Sequence, residues 1–95
     1  MTNKPLQILL ADDDEDDRLF FKEALEDIKI KTVVTTVNDG IELMEYLNQL
    51  DAILPDVVFL DLNMPRKNGI QCLEEIRKNP ALRELTLAIY STSGA

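Results

Sequence analysis

Apolar positions along the chain fall into two patterns, solid short runs and helical spacings, and the two alternate. Leu6-Gln7-Ile8-Leu9-Leu10-Ala11 is a nearly unbroken apolar run and reads as a first strand. Phe21, Ala24, Leu25 and Ile28 then share one helical face, which predicts a helix capped by Asp14 or a neighbour and running to about Ile28. The β-branched run Thr32 to Val37 predicts a second strand, and Asn38-Asp39-Gly40 a turn. Ile41, Met44 and Leu47, with Leu43 and Leu50 beside them, mark a short second helix, and Asp51 to Pro55 a loop. Val57-Val58-Phe59-Leu60 predicts a third strand and Arg66-Lys67-Asn68-Gly69 another turn. Ile70, Leu73 and Ile76 mark a third helix stopped by Asn79-Pro80, and Leu87-Ala88-Ile89-Tyr90 a fourth strand.

The third strand organises the rest. Four consecutive apolar residues do not suit an amphipathic surface strand; they predict one buried on both faces at the centre of a parallel sheet. The run ends on Asp61, and Met64-Pro65 prevents the strand from continuing. Asp61 is thereby placed where a buried strand empties into a loop, the rim at which open α/β sheets bind ligands. The β-α-β-α-β-α-β order predicts an α/β doubly wound parallel sheet with right-handed crossovers and helices on both faces. A chain of 95 residues allows one small domain, and it shows no internal repeat or interdomain linker. Only Ser91 to Ala95 follow the last strand. An open edge with apolar surface around Ile89 and Tyr90 is therefore expected. Either the chain is a fragment of a longer domain, or a partner chain covers that edge.

Charge narrows the function. Eighteen acidic against ten basic residues give a net charge of −8, which argues against nucleic acid or an anionic membrane surface as the partner. No apolar run reaches transmembrane length, and no secretory signal precedes the first strand. The single Cys72 makes no internal disulfide, which fits a reducing, cytoplasmic setting. Histidine is absent, so a zinc site is not expected, whereas an oxygen-ligand site for a hard cation stays open.

Asp12-Asp13-Asp14 ends the first strand as Asp61 ends the third. In a doubly wound sheet these strands are neighbours, so Asp12, Asp13 and Asp61 converge and repel unless a cation or a proton relieves them. Two or three carboxylates with a backbone carbonyl and waters suit Mg²⁺. Asn63 lies two residues past Asp61, and Ser91 places a hydroxyl on the same rim. This set suits phosphoryl transfer to Asp61, a chemistry of positioning and charge neutralisation. Glu15, Asp16 and Asp17 read as a solvated acidic helix start.

Three stretches in order, Ile8-Leu9-Leu10-Ala11-Asp12-Asp13, Val57 to Pro65 followed by Gly69, and Ala88-Ile89-Tyr90-Ser91, resemble the receiver domain of two-component response regulators, the CheY-like family. The resemblance covers essentially the whole chain. It implies a flavodoxin-like sheet of strand order 2-1-3-4. Residues 1–95 would form a receiver domain that stops before the fourth helix, fifth strand and fifth helix. It further implies Asp61 as phosphoacceptor, Asp13 as a direct Mg²⁺ ligand, and Asp12 acting largely through a metal-bound water. Asn63 would supply a main-chain carbonyl to the metal. Ser91 would hydrogen-bond the phosphoryl group, and the small Thr92 would leave access to the site. The Asn63 and Ser93 side chains would tune the lifetime of the phosphoryl group, and Gly69 would permit the loop conformation after Pro65. The partner would be a sensor histidine kinase or a phosphotransfer protein, with self-association possible through the exposed fourth-strand edge. The domain would assist its own phosphorylation and dephosphorylation without being a turnover enzyme. The family's fifth-strand lysine has no counterpart here, because Lys67 and Lys78 lie in the wrong places.

Three other readings compete. Asp12, Asp14, Asp16, Leu19 and Glu23 fall at EF-hand positions, but Asp17 stands where the sharp turn needs Gly, and a strand precedes it. A haloacid-dehalogenase-like phosphatase needs a second acid where Asn63 stands. A pseudo-receiver would bind a cation and partners without being phosphorylated.

Overall fold

A computed structural model describes residues 4–49 and 53–91 of the chain. Its elements are β1 (Leu6–Ala11), α1 (Glu15–Glu26), β2 (Thr32–Val37), α2 (Gly40–Leu47), β3 (Val57–Asp61), α3 (Gly69–Lys78) and β4 (Leu87–Tyr90). The four strands form one parallel sheet in the order β2-β1-β3-β4, as the flavodoxin-like reading requires. Leu50 and Asp51 lie outside the described residues, as do Thr92 and Ser93.

Side chains alternate across the sheet. Leu9 and Ala11 of β1, Val37 of β2 and Val58 and Leu60 of β3 point to one face. There they join Leu43, Met44 and Leu47 of α2 and Cys72 and Ile76 of α3 in one buried cluster, sealed at its margin by Met64 and Leu82. The Cys72 thiol is fully buried, donates to the Gly40 carbonyl, and is pushed up to about 11 chiefly by burial. Among the described residues, α1 is the one helix on the opposite face, where Phe21 meets Phe59 edge-on with ring centroids 4.8 Å apart.

The helices end where local chemistry says they should. Asp14 caps α1 by accepting from the Asp16 and Asp17 N–H groups, and Asp39 caps α2 by accepting from Glu42 N–H. Asn68 and Gln71 form a capping box on α3, and Asn79, extended before Pro80, stops it.

Several expected faces are shifted. No residue of α1 is buried; Ala24 and Ile28 are exposed, and the helix ends at Glu26. Among the described residues one helix lies over that side of the sheet, where Ile8 and Leu10 of β1 are buried but Val57 and Phe59 of β3 are not fully so. In α2 the inward residues are Gly40, Leu43, Met44 and Leu47, with Ile41 exposed. In α3 they are Gly69, Cys72 and Ile76, with Ile70 exposed. Small residues that allow close packing, Gly40, Gly69 and Cys72, took inward positions that a search for large side chains overlooks. In β3, Val58 and Leu60 are fully buried while Val57 and Phe59 are only partly so, because on their side burial is complete over β1, at Ile8 and Leu10, and not over β3.

Candidate functional site

The register sets the site. Asp61 pairs with Tyr90, and Leu60 pairs with Ala11, so Asp12, one residue on, is level with Asp61. Asp12, Asp61 and Tyr90 therefore stand at one height on three adjacent strands and share the side-chain direction of Leu10, Phe59 and Ala88. Asp12, Asp13 and Asp61 each bring a carboxylate oxygen to within 4.8 Å of the others. Asp12 and Asp61 are 1% and 0% exposed, whereas Asp13 faces solvent.

Local hydrogen bonds aim these groups. Asp12 Oδ1 accepts from Asp14 N–H at 2.9 Å and Asp12 Oδ2 from the Tyr90 hydroxyl at 2.7 Å. The Arg18 guanidinium donates to the Asp12 carbonyl at 2.7 Å, anchoring the backbone as the carboxylate turns inward. Asp61 Oδ1 accepts from Asn63 N–H at 2.9 Å. The Asn63 side-chain amide donates to Ser91 Oγ at 2.8 Å, so the exit loop of β3 and the end of β4 are tied beside Asp61. Asn63 thus links Asp61 to Ser91 through its backbone and its side chain. A Cβ on Gly69 would come within 2.6 Å of the Asp61 carbonyl oxygen, so α3 starts against the strand exit only because residue 69 has no side chain. The glycine's role is this close approach. No described glycine has positive φ, and the left-handed residue of the loop is Arg66, at φ 63°. Its guanidinium pairs with Asp39 at 2.7 Å, latching the loop to the start of α2. Lys67 is held by Glu75 on α3.

Electrostatics extend past the three aspartates. The Asp17 carboxyl is held above the usual carboxylate range, first by desolvation and then by the charges of Asp12, Asp14, Asp61 and Asp16. It is only partly exposed, so it is not the plainly solvated residue its place in the acidic run suggests. The Tyr90 hydroxyl is pushed up by burial, by its bond to Asp12 and by the surrounding negative charge, so it stays a donor. Reading the sequence alone places Tyr90 with the apolar edge surface. The signal it lacked was register: two residues after Ala88, beside Asp61, the hydroxyl turns toward the acids. Next to the site, Phe20, Phe21, Phe59, Ala88, Ile89 and Tyr90 line a groove of about 600 Å³, with Asp12 and Asp17 at its border.

Three converging carboxylates, two of them buried, form an all-oxygen set whose repulsion a hard divalent cation would relieve. The donor set fits such an ion. An EF-hand loop does not form here, since Asp14 caps α1 and Glu23 lies within that helix.

The family model of the response regulator receiver domain matches residues 8–95. The chain belongs to this family. Response regulator Rcp1 of Synechocystis is 32% identical over 97% of the chain, which spans 65% of that protein's length. The crystal structure of the phosphorylated cyanobacterial phytochrome response regulator RcpA superposes with a TM-score of 0.88 at 36% identity, covering 97% of this chain and 69% of that one. The Mn²⁺-bound form of Rcp1 does so with a TM-score of 0.88 at 32% identity, covering 96% and 68%. The receiver fold and its place in two-component signalling are thus established for the chain, and its acid cluster is one that could hold a divalent metal. Among the described residues no helix is long and apolar enough to cross a membrane.

Proposed function

We propose that this receiver domain takes a phosphoryl group onto Asp61 from a phosphohistidine of a histidine kinase or phosphotransfer protein, with Mg²⁺ as the cofactor. The observation that carries the reading is the meeting of Asp12, Asp13 and a fully buried Asp61 within 4.8 Å at the rim of a parallel sheet. Asp13 and Asp61 would hold the ion directly and Asp12 through water, with the Asn63 carbonyl as a further ligand. The ion would neutralise charge on the incoming group.

The chain's own residues do the rest. Asn63 N–H fixes the Asp61 carboxylate at the strand exit. A new P–O bond forms to Asp61 as the P–N bond of the donor breaks, and the imidazole leaves with the electron pair and takes up a proton. Ser91 Oγ, already accepting from Asn63, keeps its own proton to donate to the phosphoryl oxygens. Thr92, being small, would leave access to the site, and Ser93 with Asn63 would set how long the group persists. This is self-modification and not turnover. The edge strand β4 and exposed Ile89 also favour self-association of the domain.

The test is incubation with a small phosphodonor and Mg²⁺, read by intact mass. The expected result is one added phosphoryl group, lost in Asp61→Ala and on chelation of the metal. No gain, or a gain that survives Asp61→Ala, refutes the reading. A monomeric mass by light scattering at high concentration removes the self-association.

A further inference from the structure

Tyr90 lies two strands away from β1, a separation of about 10 Å across the sheet. Its side chain nevertheless spans the tip of β3 to reach Asp12, donating to Oδ2 at 2.7 Å. The other oxygen of that carboxylate accepts from Asp14 N–H. Both oxygens of a side chain only 1% exposed are therefore fixed, one by its own backbone turn and one by a residue 78 positions away. Without the second contact, repulsion from Asp13 and Asp61 would favour rotation of Asp12 out of the cluster. The donor is neutral. It steadies the anion without bringing a positive charge that would compete with an ion for the site, which a lysine or arginine at the same place would do.

We propose that Tyr90 is a positioning residue for the divalent-ion site, holding Asp12 in the orientation that completes the three-carboxylate cluster. The inference rests on the ion-binding part of the proposed function and adds to it a residue on β4. Asp12 would reach the ion through water, and outer-shell hydrogen-bond partners of this kind commonly change a metal's affinity about tenfold or more.

Calorimetric titration of Mg²⁺ into the full chain tests it. Native protein should bind, Asp13→Asn should not, and Tyr90→Phe should bind about tenfold or more weakly with an unchanged far-ultraviolet dichroism spectrum. Binding by Tyr90→Phe within twofold of native overturns the proposal while leaving the ion site standing. No binding by native protein overturns both. A second measurement does not depend on Tyr90→Phe folding. The chain has two tyrosines, Tyr46 and Tyr90. In Tyr46→Phe, Mg²⁺ should produce a tyrosine absorbance difference that saturates with the calorimetric midpoint. A flat spectrum through saturation overturns the proposal, because a phenol with a merely structural place elsewhere would not sense the ion.

Discussion

On one face of the sheet Leu9, Val58 and Leu60 disappear beneath α2 and α3, and the helices contribute Leu43 and Ile76 at 0% exposure. On the other, Phe21 packs on Phe59 while its neighbour Phe20 stays 72% exposed. Among the described residues the covered face holds most of the buried core, with Ile8 and Leu10 buried on the other. The thinly covered face carries the domain's chemistry, since Asp12, Asp61 and Tyr90 all project to that side. A rigid sheet held from behind presents its charged tips in front, where desolvation and repulsion could not be tolerated by a core that also had to hold the fold together.

Substitutions on the two faces should differ several-fold in cost. Leu60→Ala or Ile76→Ala should lose about 2–5 kcal/mol by urea denaturation, a large part of what a small domain has. Phe20→Ala should stay within about 0.5 kcal/mol, as exposed positions do. If Phe20→Ala proves as costly as Leu60→Ala, the open face is occupied in solution and the two faces do not differ in cover.

A smaller effect is expected where α2 meets the loop leaving β3. A Cβ on Gly40 would lie 2.2 Å from the Lys67 carbonyl oxygen and 2.7 Å from Cys72 Sγ. Gly40→Ala should cost about 1–3 kcal/mol through displaced backbone. A loss no larger than for an exposed alanine substitution would mean that the loop moves freely over the covered face.

The same contrast explains what could be read from the sequence. Solid apolar runs place β1 and β3 and leave Asp12, Asp13 and Asp61 at their tips, so the cluster follows from strand order and needs no side-chain detail. Helix faces are harder. Counting large apolar residues chose Ile41 and Ile70, while packing chose Gly40, Gly69 and Cys72, because backbone proximity on the covered face rewards absence of volume. Phe59 looked buried because its run is apolar, yet burial depends on what lies over the strand. Tyr90 was hidden for another reason: its partner is far away in sequence, and only the register β4 takes against β3 brings its hydroxyl to Asp12.

The two faces also carry carboxylates of opposite pH behaviour, which gives the finest test. On the covered side, burial acts to raise the Asp39 carboxyl, but the Glu42 and Ile41 N–H groups and the Arg66 guanidinium together hold it below the ordinary range. A depressed carboxyl stabilises above the unfolded value, near 3.9, and that contribution is lost as pH falls through the folded value. Asp39→Asn should therefore be less stable than native by about 0.5–1 kcal/mol at neutral pH, the modest value of a partly exposed pair, with the gap closing below about pH 4. On the open side Asp17 is raised, so the unfolded chain ionises first and native stability is lost as pH rises above the ordinary carboxylate range. Asp17→Asn escapes that loss. Measured by thermal unfolding without divalent ion, it should gain on native as pH climbs from about 4 toward neutrality, while Asp39→Asn, already behind native above about pH 4, falls no further over that interval. Parallel pH profiles for the two variants would show that the acids on the open face do not feel one another.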